Sequence, residues 1–232
     1  MTSGAATADL LWGRRTDPRR GPRPSLDLAT IAAAGVAIAD DGGLAAVTMQ
    51  RVAERLGVTK MALYRYVPGR AQMVALMTDL GMGTPPRLDE VAGGWRPRLE
   101  HWSTQIFTLF SDHPWALEAT LGPRVMGPNE LGWLEEALAV LSETQLTGDQ
   151  KLDLVATLLG HVRMLAQQAA AMGGAATEES LSRTMRVVLA GEAERFPSFV
   201  EALADPGTEG HALEFGLRCI LDGVASVADR RS

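Results

Sequence analysis

The sequence predicts an all-α protein of two unequal helical domains. Three observations predict it. Ala, Leu and Val dominate while aromatics make up only 5%, and Ala and Leu favour helix. Apolar residues recur at i, i+3, i+4 and i+7 along most of the 232 residues. Strand-like alternation and internal repeats are both missing from the chain. With 46% hydrophobic and 22% charged residues, the composition is that of a folded globular chain.

The elements follow in order. Residues 1–24 are expected to be a basic flexible arm. Pro18, Gly21, Pro22 and Pro24 oppose helix, and Arg14, Arg15, Arg19, Arg20 and Arg23 make the segment positive. Helical spacing starts at Leu26 and runs through Leu28, Ile31, Ala32 and Gly35, with Ser25 as its cap. Asp40-Asp41-Gly42-Gly43 ends it, since glycine accepts the conformation of a helix terminus. Thr48 caps a second helix carrying Met49, Val52, Ala53 and Leu56, and Gly57 stops it. Thr59 caps a third, which runs to about Val67, where Pro68-Gly69 breaks it; Val58 can staple onto Leu63. A fourth begins near Arg70. The stretch TPPRLDEVAGGWRP after Gly83 reads as a hinge, so the domains divide into 25–83 and 84–232. Later helices are expected near 95–111, 114–121, 129–145, 149–172, 178–192, 196–204 and 208–229.

A net charge of −6 argues against nucleic acid, but its distribution reverses the argument. Residues 14–70 hold ten Arg and Lys against five Asp and Glu, whereas residues 71–232 hold twelve against twenty-two. A basic head on an acidic body suits a DNA contact at one end. The single cysteine, Cys219, rules out an intrachain disulfide. No apolar run approaches the ~20 residues of a membrane helix, and the N-terminus has the charge order opposite to a secretory signal. A cytoplasmic chain without membrane contact is expected. No two histidines have metal-binding helical spacing, and neither a phosphate loop nor a nucleophile elbow is present. Neither metal, cofactor nor catalytic residues are therefore expected.

Two short helices joined by Leu56-Gly57-Val58 form a helix-turn-helix pattern. The first braces the second, whose N-terminal side chains enter the major groove. The run TMQRVAERLGVTKMALYRYVPGRAQMVALM, preceded by ATIAAAGVAIADDGG, resembles the tetracycline-repressor (TetR) family. WRPRLEHWSTQIFTLFSDHPWALE and ALEFGLRCILDGVAS are similar to early and final helices of that family's regulatory domain. The resemblance implies an N-terminal three-helix helix-turn-helix DNA-binding domain and a larger ligand-binding and dimerisation domain. It implies a sequence-specific transcriptional regulator, a repressor released by a small-molecule effector. An activator or corepressor-dependent regulator of the same fold stays open, as does a small-molecule-binding protein with a vestigial head.

Position in the motif then suggests roles. Thr48 and Gln50 open the bracing helix, where the family contacts DNA. Thr59, Lys60, Met61 and Ala62 open the recognition helix; Lys60 can donate to guanine O6 and N7, and small apolar groups can meet a thymine methyl. Tyr64 and Tyr66 match phosphate-binding positions, although each also fits a packing residue. Arg70 matches a phosphate clamp. In the arm, Arg19, Arg20 and Arg23 can enter an A·T minor groove, or belong to a plain tail.

In the second domain, Trp102, Phe107, Phe110, Trp115, Met126 and Trp133 are candidates to line an effector pocket, with His161, Met164 and Gln168. Each taken singly also fits a core position. A homodimer on a palindromic operator is expected, packed through two long C-terminal helices. One offers Leu152, Val155, Ala156, Leu159 and Val162. The other offers Leu213, Gly216, Leu217, Ile220 and Val224, although part of each stripe also faces its own domain's core.

Overall fold

The computed structural model describes residues 2–14, 26–171, 178–189, 191, 194–204 and 212–229. Twelve α-helices occur among them, and no strand. The head consists of α2 (Leu28–Gly42), α3 (Met49–Arg55), α4 (Lys60–Tyr64) and α5 (Arg70–Met82). The body consists of α6 (Trp95–Asp112), α7 (Trp115–Ala119), α8 (Pro128–Val140), α9 (Gly148–Ala171), α10 (Glu178–Leu189), α11 (Pro197–Ala204) and α12 (Ala212–Asp229). One apolar core runs through both parts, from Leu26 to Leu221. The helix α5 joins them, packing on α2 on one side and on α7 and α8 on the other.

The start of the chain departs from the expected arm. Residues Thr2–Leu11 form a helix, α1, which lies on α5. The helix-breaking prolines begin only at Pro18; before them the segment is rich in Ala and Leu, and burying Leu10 and Leu11 stabilises the helix. Gln72 Nε2 donates to Thr7 Oγ1 at 3.2 Å, and the indole of Trp12 donates to the Met126 carbonyl at 3.1 Å. The arginines expected to form the DNA arm, Arg19, Arg20 and Arg23, lie outside the described residues.

Local chemistry explains the head. Asp27, not Ser25, caps α2, with its carboxylate accepting from Thr30 N at 2.7 Å. Hydrogen bonds from the Thr30 side chain and then from its backbone hold the Asp27 carboxyl below its ordinary value. Gly57 takes φ 65°, a conformation that glycine alone adopts without strain, and so turns the chain from α3 into α4. The third helix is shorter than its spacing suggests. It ends at Tyr64 with Arg65 as its C-cap, and the chain tightens into a turn in which Tyr66 N and Val67 N both donate to the Leu63 carbonyl at 3.0 Å.

The last helix corrects a second expectation. Leu217 is 3% exposed and Leu221 fully buried, while Leu213, Ile220 and Val224 pack against the same core. A Cβ on Gly216 would lie 2.2 Å from the His161 ring of α9. The stripe read as a dimer surface thus faces the chain's own α9. The reason is that periodicity defines a stripe without saying which partner covers it. The outward face of α12 carries Phe215, Cys219 and Gly223. On α9 the exposed residues at four-residue spacing are Leu152, Ala156, Gly160 and Met164.

Candidate nucleic-acid interface and effector cavity

Both threonines of the motif are caps. Thr48 Oγ1 accepts from Arg51 N and Thr59 Oγ1 from Ala62 N, each at 3.2 Å. These bonds fix the starts of α3 and α4, and Val52, Ala53 and Leu63 lock the two helices together in the core. Lys60, Met61 and Tyr64 are left outside. Met61 is 75% and Tyr64 38% exposed, and their spacing places all three on one helix face. Ala62 is half-buried at the edge of that face. Lys60 has no charged partner among the described residues. Gln50 is exposed and donates to Glu54 at 2.6 Å. Tyr66 is half-buried against the core.

Arg70 differs from its expected role. Its Nε donates to the Val47 carbonyl at 3.1 Å and its Nη2 to the Leu44 carbonyl at 2.9 Å. The guanidinium ties the turn before α3 to the start of α5. Two of its donor groups are therefore committed to backbone carbonyls of the turn before α3.

The body encloses a cavity of about 240 Å³. Of the nine candidates, it brings together Trp102, Phe110, Met126 and Trp133. The other five are elsewhere. Trp115 is packed on Gly81 and donates to Asp40 at 2.7 Å, beside His113. His161 packs against α12, Phe107 joins the core margin, and Met164 and Gln168 are exposed.

Sequence reasoning missed the polar groups of the cavity: Thr120, Arg124, Glu130 and Arg163. Arg163 had a signal. It follows Val155 and Leu159 at four-residue steps and so shares their apolar stripe. Arg124 and Glu130 form a two-pronged ion pair. Arg163 donates to Thr120 Oγ1 at 2.7 Å and to the Leu117 carbonyl, and it lies 5.5 Å over the Phe110 ring. Burial, helped by the Arg124 charge, holds its guanidinium below the ordinary value.

The cavity wall is bonded to the head. The Trp133 indole donates to the carbonyls of Met82 at 3.0 Å and Gly83 at 3.3 Å, at the end of α5. The Trp102 indole in turn donates to the Trp133 carbonyl at 2.8 Å. From α5, Asp79 Oδ1 accepts from the backbone N–H of Asn129 and Glu130 at 2.9 and 3.1 Å, capping α8. Burial outweighs these bonds and raises the Asp79 carboxyl above its ordinary value.

A capped helix-turn-helix with an exposed recognition face, joined by one helix to a body with a cavity, defines a DNA-binding transcriptional regulator. The chain belongs to the tetR family of bacterial regulatory proteins. Residues 31–77 match that family's DNA-binding model, and residues 86–228 match the tetracyclin repressor-like C-terminal domain. It is 33% identical to the HTH-type transcriptional repressor DrrR1 of Streptomyces coeruleorubidus, over 98% of this chain and 88% of that one. Among solved structures, ActR of Streptomyces coelicolor in complex with actinorhodin shares the fold. The TM-score is 0.77 at 20% identity, covering 90% of this chain and all of the other. A TetR variant of Acinetobacter baumannii AYE in complex with minocycline superposes with a TM-score of 0.64 at 18% identity, over 88% of this chain and 99% of that one.

Proposed function

We propose that this chain is a homodimeric repressor whose hold on a palindromic operator is released when a small molecule enters the cavity. One observation carries the reading: the same tryptophan, Trp133, forms part of the cavity wall and holds the end of α5. A ligand that shifts Trp133 changes the angle of α5, and with it the spacing of two heads across the dimer. Differential ligand affinity for the two head spacings is all that release requires. The repressor relative and the ligand-bound neighbours support this reading.

On the DNA, Lys60 reads a guanine edge, and Met61 and Ala62 meet an adjacent base. Gln50 and Tyr64 contact the backbone. The dimer uses the outward faces of α9 and α12, including Leu152, Ala156 and Phe215. Nothing in this role calls for catalysis, and the work is done on the chromosome in the cytoplasm. Functionally, the chain divides near residue 83, with α5 serving both parts.

Two substitutions test these assignments. Lys60→Ala is expected to lose about 1–3 kcal/mol of discrimination at one base pair per half-site while affinity for random DNA barely changes. Anisotropy titrations on the operator and on single-base variants measure it. A uniform loss across all sequences would make Lys60 a phosphate contact instead.

Gly127→Ala tests the transmission. A Cβ at Gly127 would sit 2.2 Å from the Asp79 carboxyl, so α5 and the start of α8 must move apart. Operator affinity is expected to fall roughly tenfold or more, a change of about 1.4 kcal/mol, with no ligand present. A reporter behind the operator should be derepressed to match. Unchanged affinity in a folded variant would sever α5 from the mechanism. A fall in reporter expression on deleting the whole chain would make it an activator.

A further inference from the structure

The cavity is mainly apolar, yet two guanidiniums and one carboxylate line it. Arg124 and Glu130 neutralise each other. Arg163 has no carboxylate partner among the described residues, and it donates to a hydroxyl and a carbonyl, those of Thr120 and Leu117. The lining therefore carries one uncompensated positive charge. Behind the lining, a second cationic group also lacks a full set of partners. The Nε of Arg124 is buried and meets no acceptor among the described residues. Leaving such a donor unpaired costs about 1–3 kcal/mol, and more for a charged group.

A protein keeps an unpaired charge inside an apolar chamber at the expense of its own stability. An entering anion would pair the Arg163 charge. An entering cation would face the charge with no carboxylate free to receive it. The rest of the wall sets the body of the ligand. Trp102, Phe110 and Trp133 offer aromatic faces, with Ile106, Leu134 and Leu159 between them. About 240 Å³ is smaller than the usual range of about 300–1,000 Å³ for drug-sized ligands, which suits one or two fused rings.

We infer that the cavity takes a compact aromatic monoanion, its rings among the tryptophans and its carboxylate or phenolate on Arg163. This deepens the effector reading and rests on it for its regulatory meaning, but the binding stands or falls separately.

Three ligands of one shape test it: 2-naphthoate, 2-naphthalenemethanol and 2-naphthylmethylammonium. Binding to the full-length protein is read by calorimetry and by quenching of tryptophan fluorescence. Naphthoate is expected to bind roughly tenfold or more tighter than the alcohol, and the ammonium weakest, because a bond between charged groups exceeds a neutral one. Arg163→Met should erase the preference of acid over alcohol while leaving the alcohol unchanged, and Arg163→Lys should keep part of it. The comparison in unaltered protein needs no substitution, so it stands even if Arg163→Met fails to fold. Equal binding of acid and alcohol, a preference for the ammonium, or binding of none of the three would overturn the inference. Operator anisotropy with naphthoate present reads release independently. Tight, Arg163-dependent binding with unchanged operator affinity would support the ligand class while overturning release.

Discussion

Leu217→Glu is expected to leave the protein without a folded body. Leu217 is 3% exposed and faces α9 inside the chain. Removing a buried leucine alone costs about 2–5 kcal/mol, and burying an unpaired carboxyl adds several more. The total approaches the ~5–15 kcal/mol that holds a typical domain together. Circular dichroism should show much of the helical signal gone at room temperature. Phe215→Glu, on the same helix but 56% exposed, should keep full helix content and sediment as a monomer. A Leu217→Glu chain that melts like the parent yet is monomeric would return Leu217 to the dimer interface.

Arg70→Ala is expected to act on the head's stability first and on its DNA affinity as a consequence. Two charged hydrogen bonds to Leu44 and Val47 are lost, each worth about 1.5–3 kcal/mol. Hydrogen exchange at the amides of α3 and α4 should quicken, and operator binding should weaken at every salt concentration. Arg70→Lys should rescue little, since an ammonium lacks the fork that reaches both carbonyls. If Arg70 were only a phosphate clamp, exchange would stay unchanged and the salt dependence alone would flatten.

The contrast between these residues shows what a sequence conveys. Thr48, Thr59 and Gly57 are legible because each serves its neighbours within a turn of chain. Helix positions were legible too: the stretch expected at 149–172 is observed as Gly148–Ala171. Arg70 was misread in part because its acceptors lie 23 and 26 residues away, and nothing local distinguishes a bracing arginine from a free one. The cavity shows the same limit. Its aromatic residues Trp102, Phe110 and Trp133 are all among the candidates read from the sequence, since large apolar side chains announce burial. Arg124 and Arg163 resemble surface charges until tertiary packing encloses them. The helix α1 was hidden by the prolines that follow it, because its support comes from α5 rather than from its own spacing.

The chain of bonds from Trp102 through Trp133 to Met82 has a consequence for how such a sensor changes over time. On the proposed mechanism, some residues of the chamber serve recognition alone. Ile106, Leu134 and Leu159 touch the cavity without any side-chain hydrogen bond to the head, whereas both tryptophans contribute to both tasks. Swapping the aliphatic residues therefore retunes which molecule is sensed while the lever stays intact. Swapping either tryptophan breaks the lever whatever the molecule. Libraries for a biosensor of altered specificity belong at the aliphatic positions, with both indoles held fixed.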